Sequence, residues 1–183
     1  MSRALILIDF QEGFDAPFWG ARNNPDAEAR AAFLLKTWRD AKAPIVHIQH
    51  HSQDTNSPLH PEFGQAMIKA KVAPLPNEPV MTKEVNSAFI GTDLQSYLDG
   101  LGVRSLVICG LTTPHCVSTT TRMAANLGYE VQIAHDACAA FVLTANARWR
   151  GGDAVDAQAI HDAALDHLHG EFAEVLPASK VTP

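Results

Sequence analysis

Short aliphatic runs alternate along the chain with longer segments whose apolar residues recur at helical spacing. Ala4–Ile8 is uninterrupted and aliphatic, as expected of a central parallel strand buried on both faces, and Asp9 ends it with a carboxylate. Residues 10–20 carry aromatics and two glycines without period, which predicts a loop over the sheet edge. Between residues 25 and 41, Ala31, Leu34, Leu35 and Trp38 fall on one helical face, with Pro25 and Asp26 in the first turn. Residues 44–49 read as a second strand leading into the polar stretch 50–58. Residues 60–79 are proline-rich and irregular, with at most a helical turn or two over 65–70. Residues 80–83 predict a third strand that ends in Lys83. A helix over 92–101, stopped by Gly102, precedes a fourth strand over 103–109. A helix over 120–128, a fifth strand over 130–134, an exposed turn or lid over 141–153, a helix over 154–169 and a strand over 172–176 complete the order. Strands alternating with helices predict an α/β fold, a parallel doubly wound (Rossmann-like) sheet with helices on both faces.

With 183 residues, 46% hydrophobic and 19% charged, the chain has the size and composition of one globular domain spanning 1–183. A net charge of -6 offers no basic face for nucleic acid and disfavours an anionic membrane surface. The N-terminal apolar run is interrupted by Asp9 too early for a signal peptide, and no run approaches a membrane span. Three cysteines, at 109, 116 and 138, are an odd number in a chain large enough to fold without staples. These features predict a cytoplasmic protein without a disulfide framework.

Asp9, Lys83 and Cys116 stand at or just beyond the ends of three predicted strands. In a parallel sheet such ends share one edge, where ligands bind, so distant residues can converge. Cys116 also lies where a strand hands over to a helix, a place that biases a thiol toward thiolate. An acid, a cation and a thiol are what nucleophilic cysteine catalysis requires, and backbone N–H groups of the turn can hold an oxyanion. Taken singly, Asp9 also reads as a strand-end cap and Lys83 as a surface charge. Cys109, inside an apolar strand, and Cys138, among alanines, read as buried hydrophobes.

Three ordered blocks resemble the isochorismatase-like cysteine hydrolases: residues 7–14 (LIDFQEGF), Lys83 followed by residues 86–94 (NSAFIGTDL), and residues 110–117 (GLTTPHCV) with Gly128, Tyr129 and residues 135–137 after them. The resemblance implies Asp9 as general base, Lys83 as its cationic partner and Cys116 as nucleophile. It further implies a cis peptide between Leu111 and Thr112 and an oxyanion hole from the backbone N–H groups of Thr112 and Cys116. The reaction expected is hydrolysis of a carbon–nitrogen bond in a small carboxamide, N-carbamoyl or ureido compound through a thioester. Gln11, Phe14 and Leu111 are expected to line the substrate pocket, whereas Trp19 and Trp149 read equally as pocket walls or as cover for the sheet edge. His115, adjacent to the cysteine, is expected to have a minor role at most.

No cofactor and no metal are expected. Nicotinamidases of this family hold a metal through an Asp-x-His pair after the second strand, and here residues 49–54 read QHHSQD. His47, His50, His51 and His60 could still form an improvised site, but a polar loop with solvated or structurally bonded histidines is the simpler reading. Isochorismate-cleaving members do not depend on a cysteine at this position, so Cys116 favours carbon–nitrogen hydrolysis. A different class of function, a non-catalytic assembly or ligand-binding module, competes with the enzyme reading. The family habit and the apolar segment around residues 141–143 point to a homo-oligomer, a dimer or larger.

Overall fold

The computed structural model describes residues 3–63 and 66–183. Six strands form one wholly parallel sheet: β1 (Ala4–Ile8), β2 (Ile45–His50), β3 (Val80–Lys83), β4 (Ser105–Leu111), β5 (Glu130–Ala139) and β6 (Glu174–Leu176). Their order is β3-β2-β1-β4-β5-β6. Helices α1 (Ala27–Ala41), α2 (Leu94–Gly100), α3 (Ser118–Asn126) and α4 (Ala157–Asp166) lie between them in the chain. The doubly wound α/β expectation is met. Every residue of β1 is buried, as the uninterrupted aliphatic run demands of a strand covered on both faces. The chain proceeds outward from β1 to β3 and then crosses back to β4, so the strand order reverses between β1 and β4. That reversal opens the crevice in which sheets of this kind bind ligands.

Local chemistry explains most differences from the predicted boundaries. The second helix begins at Leu94 rather than residue 92 because the Thr92 hydroxyl donates to the Ala88 carbonyl and accepts the Leu94 N–H, which commits Thr92 to a turn. The last helix starts later than predicted because Asp156 caps it, its carboxylate accepting from Gln158 N and Ala159 N. Residues 113–117 form a single π turn ahead of α3, so α3 runs two residues earlier than the apolar spacing suggests. Of the turns expected over residues 65–70, Gln65 lies outside the described residues; Ala70–Val72 is a short 3-10 turn.

The largest correction is in β5, which extends five residues past Ala134 and carries His135 and Asp136 within it rather than at its end. Its register against β4 shifts between Ile108 and Gly110, so β5 makes an irregular excursion there. Asn24 stabilises that excursion by donating to the carbonyls of His135 and Cys138 at 3.1 and 2.8 Å. Gly110 is required at the same level: its φ is 143°, and a Cβ there would lie 2.1 Å from the Ile8 carbonyl oxygen. The close approach brings the end of β4 against the end of β1, and with it the Cys116 turn against Asp9.

Candidate active site

Asp9 follows β1 with a left-handed φ of 53°, uncommon for a residue with a side chain, and its backbone N–H still continues the ladder to the Ile48 carbonyl. Its carboxylate is wholly buried, and Lys83, the last residue of β3, reaches it from two strands away with Nζ 2.7 Å from Oδ2. The same Nζ donates to Cys116 Sγ at 3.2 Å. The structure therefore brings Asp9, Lys83 and Cys116 together. Lys83 is not a surface charge, since its side chain is 0% exposed.

Burial works against the Lys83 ammonium, but the charges of Asp9 and Cys116 outweigh it and raise its pKa above the ordinary lysine value. For Cys116, burial and then the neighbouring carboxylate push the thiol well above its ordinary value, and Lys83 only partly offsets them. Burial beside a carboxylate thus opposes the thiolate that a strand-to-helix position favours. The π turn that carries Cys116 is closed by the Thr112 carbonyl, which accepts from the N–H groups of His115 and Val117. The Leu111–Thr112 peptide is cis. Leu111 is fully buried at the end of β4.

Two residues beyond the expected trio touch it. His50 Nδ1 lies 3.1 Å from Lys83 Nζ, and the exposed Asn86 presents Oδ1 3.6 Å from Cys116 Sγ. In the sequence His50 stands among polar residues and Asn86 only within a motif block. No local pattern marks His50: it meets Lys83 through the register of β2 on β3. The four histidines do not converge: His47 bonds Glu78 at 3.0 Å and His60 packs edge-on to Phe63. Among the described residues, ligand atoms of Asp9, His50 and Cys116 lie within 4.8 Å of one another. Lys83 Nζ already contacts one such atom of each, so a metal ion at their centre would have to displace the protein's own cation.

Gln11 and Phe14, expected to line the pocket, are both buried. Gln11 is fully buried and committed internally, its Nε2 donating to the carbonyls of His50 and Ala66 at 2.9 and 2.8 Å and its Oε1 accepting from His50 N at 2.7 Å. It fastens the end of β2. Phe14 is buried between Trp19 and Phe141, with ring centroids 4.8 and 5.6 Å away. Phe141 is therefore core, and the exposed apolar residues of the lid segment are Leu143 and Trp149, the latter 85% exposed. Trp19 borders a groove of about 570 Å³ with Phe18, Val142, Leu143 and Arg148.

Behind the π turn, buried His161 of α4 places Nδ1 2.8 Å from Thr113 Oγ1. Burial lowers its pKa to about 4. Unfolded histidine titrates at ~6.5, so this stabilisation is complete above that pH and is lost as pH falls through 4, about 3 kcal/mol in all. Burial opposes ionisation of Glu28 and Glu78, yet Arg22 with Lys69, and Arg39 with the Leu75 N–H, hold them at about 2. Their contribution is lost lower, as pH falls from 4.5 toward 2. Denaturation midpoints measured between neutral and mildly acid pH should fall in the parent, and fall less steeply in His161→Gln.

Fold and site together define a doubly wound α/β protein with a buried carboxylate, ammonium and thiol at its strand-order reversal. The Isochorismatase domain model matches residues 3–179, and the chain belongs to that family of hydrolases. An uncharacterized isochorismatase family protein, YrdC of Bacillus subtilis, is 42% identical over 179 residues, covering 98% of this chain and 94% of that one. Streptothricin hydrolase of Streptomyces noursei is 31% identical, covering 99% of this chain and 64% of that protein. Maleamate amidohydrolase of Pseudomonas putida is 27% identical over 73% of this chain and 70% of its own length. A crystal structure of an isochorismatase-family protein from Chromobacterium violaceum superposes with a TM-score of 0.90 at 39% identity, covering 97% of this chain and 90% of that one.

Proposed function

We propose that the protein is a cysteine amidohydrolase that cleaves a carbon–nitrogen bond of a small carboxamide, N-carbamoyl or ureido compound. The observation that carries this reading is the single ammonium of Lys83 bonded to both the Asp9 carboxylate and the Cys116 thiol in a dry setting. Asp9 takes the thiol proton as Sγ attacks the carbonyl carbon, and the backbone N–H groups of Thr112 and Cys116 hold the tetrahedral oxyanion. The C–N bond breaks, Asp9 returns the proton to the departing amine or ammonia, and a thioester remains on Cys116. Water, deprotonated by Asp9, then attacks the thioester; the carboxylic acid leaves and the thiol regains its proton.

The names of two relatives, a maleamate amidohydrolase and a streptothricin hydrolase, support amide substrates. The competing module reading leaves a desolvated ion pair against a thiol without purpose, and such a pair is weak evidence for stability alone. A cytoplasmic setting fits three free, buried cysteines, and a homo-oligomer fits the exposed Phe18, Leu143 and Trp149. Among the described residues no helix is long and apolar enough to cross a membrane. The test is a turnover screen with maleamate, N-carbamoylsarcosine and short ureido acids, read as released ammonia or amine. Turnover of at least one is expected; silence across carboxamides, carbamoyl and ureido compounds alike would count against the enzyme reading.

A further inference from the structure

Lys83 has three N–H donors on a flexible four-carbon stem, and the chemistry above employs two of them. We propose that His50 is a positioning residue that takes the third, so that Asp9, Cys116 and His50 form a tripod fixing the ammonium. This rests on the amidohydrolase reading and adds a member to its machinery.

Four observations carry the inference. His50 Nδ1 lies 3.1 Å from Nζ, beside the 2.7 Å contact to Asp9 and the 3.2 Å contact to Cys116, so every donor of a buried cation is matched. His50 and Lys83 are register partners on adjacent parallel strands, which aims both side chains from the same level of the sheet edge. The backbone of His50 is held at both ends by the buried Gln11 amide, which accepts from its N–H and donates to its carbonyl. Nδ1 must present a lone pair to the ammonium, and the surroundings favour the neutral ring: burial, then the Lys83 charge, with His51 adding to them, outweigh the pull of Asp9 and of a hydrogen bond to the Val85 backbone. Without this acceptor a desolvated N–H would be unmatched, and the ammonium would rotate between its remaining partners, loosening its hold on the thiol.

The experiment is alkylation of Cys116 by iodoacetamide across a pH series, followed on the Cys116 peptide by mass spectrometry. It uses the full chain as parent, His50→Leu and His50→Asn. Leucine removes the acceptor, whereas the asparagine Oδ1 reaches the place of Nδ1 and can accept in its stead. Both variants keep the Gln11 clamp, which uses only backbone groups of residue 50. His50→Leu should label about tenfold more slowly at neutral pH, with its profile moved to higher pH, and His50→Asn should return to within about threefold of the parent. Equal rates and profiles in the parent and His50→Leu would overturn the proposal, as would an asparagine variant as slow as the leucine one with both folded. Should the leucine variant not fold, His50→Ala replaces it: restoration by added imidazole supports the tripod, and parental labelling without imidazole refutes it. A parent whose Cys116 resists alkylation throughout overturns the nucleophile reading and the tripod with it; a reactive Cys116 indifferent to residue 50 overturns only the tripod.

Discussion

Replacing Cys116 with alanine should leave a folded protein that no longer turns over any carboxamide the parent hydrolyses, with kcat reduced by at least about 10⁴-fold. The thiol is the sole group in the cluster able to form the thioester, so no neighbour can take over its step. The structural cost should be small. Alanine fits where a cysteine that is 7% exposed stood, and the Lys83–Asp9 pair that dominates the buried charge is untouched. Melting temperatures of parent and variant should therefore lie within a few degrees, about 1 kcal/mol. Cys109→Ala and Cys138→Ala are the controls: both side chains are buried in strands of the sheet, that of Cys138 bonded to the Ala134 carbonyl, and both variants should keep turnover. Persistent turnover in Cys116→Ala, or equal loss in a control, would remove the thioester mechanism.

Lys83→Met should be damaging in two separable ways. Methionine replaces the stem but leaves the wholly buried Asp9 carboxylate without its counter-charge, a change that costs about 3–5 kcal/mol when one partner of a buried pair is removed. In the parent the buried pair favours the charged form of Lys83. Its pKa is raised, so its contribution is present below the ordinary lysine value and lost only in strong alkali. Activity should fall by more than about a thousandfold even where the variant is folded, since the cation that stabilises the developing thiolate is gone. Chemical denaturation, paired with turnover of the folded fraction, separates the effects. An unchanged denaturation midpoint would contradict the buried ion pair.

His50 and Gln11 show where sequence reading stops. By residue type and neighbourhood alone, Gln11 reads as a pocket residue and His50 as a polar loop residue or a metal ligand among four histidines. Which amide, imidazole and ammonium meet is set by register between strands that are far apart in sequence, and no local pattern encodes it. The same holds for Phe14 and Phe141, whose stacking is invisible in either segment alone. The thiol's state also depends on the third dimension: a strand-to-helix position favours thiolate, but burial beside Asp9 outweighs it.

The sequence by itself determined the alternation of strands and helices, the parallel sheet, and the presence of an acid, a lysine and a cysteine at three strand ends. Those features follow from short-range hydrophobic periodicity and from the fact that parallel strands share one carboxyl edge. Only the tertiary structure decided that the three side chains touch, that Gly110 lets β4 close on Ile8, and that His50 completes the surroundings of Lys83. The reason is that these depend on ångström-scale register and desolvation, which arise when distant segments pack and are not written in any one of them.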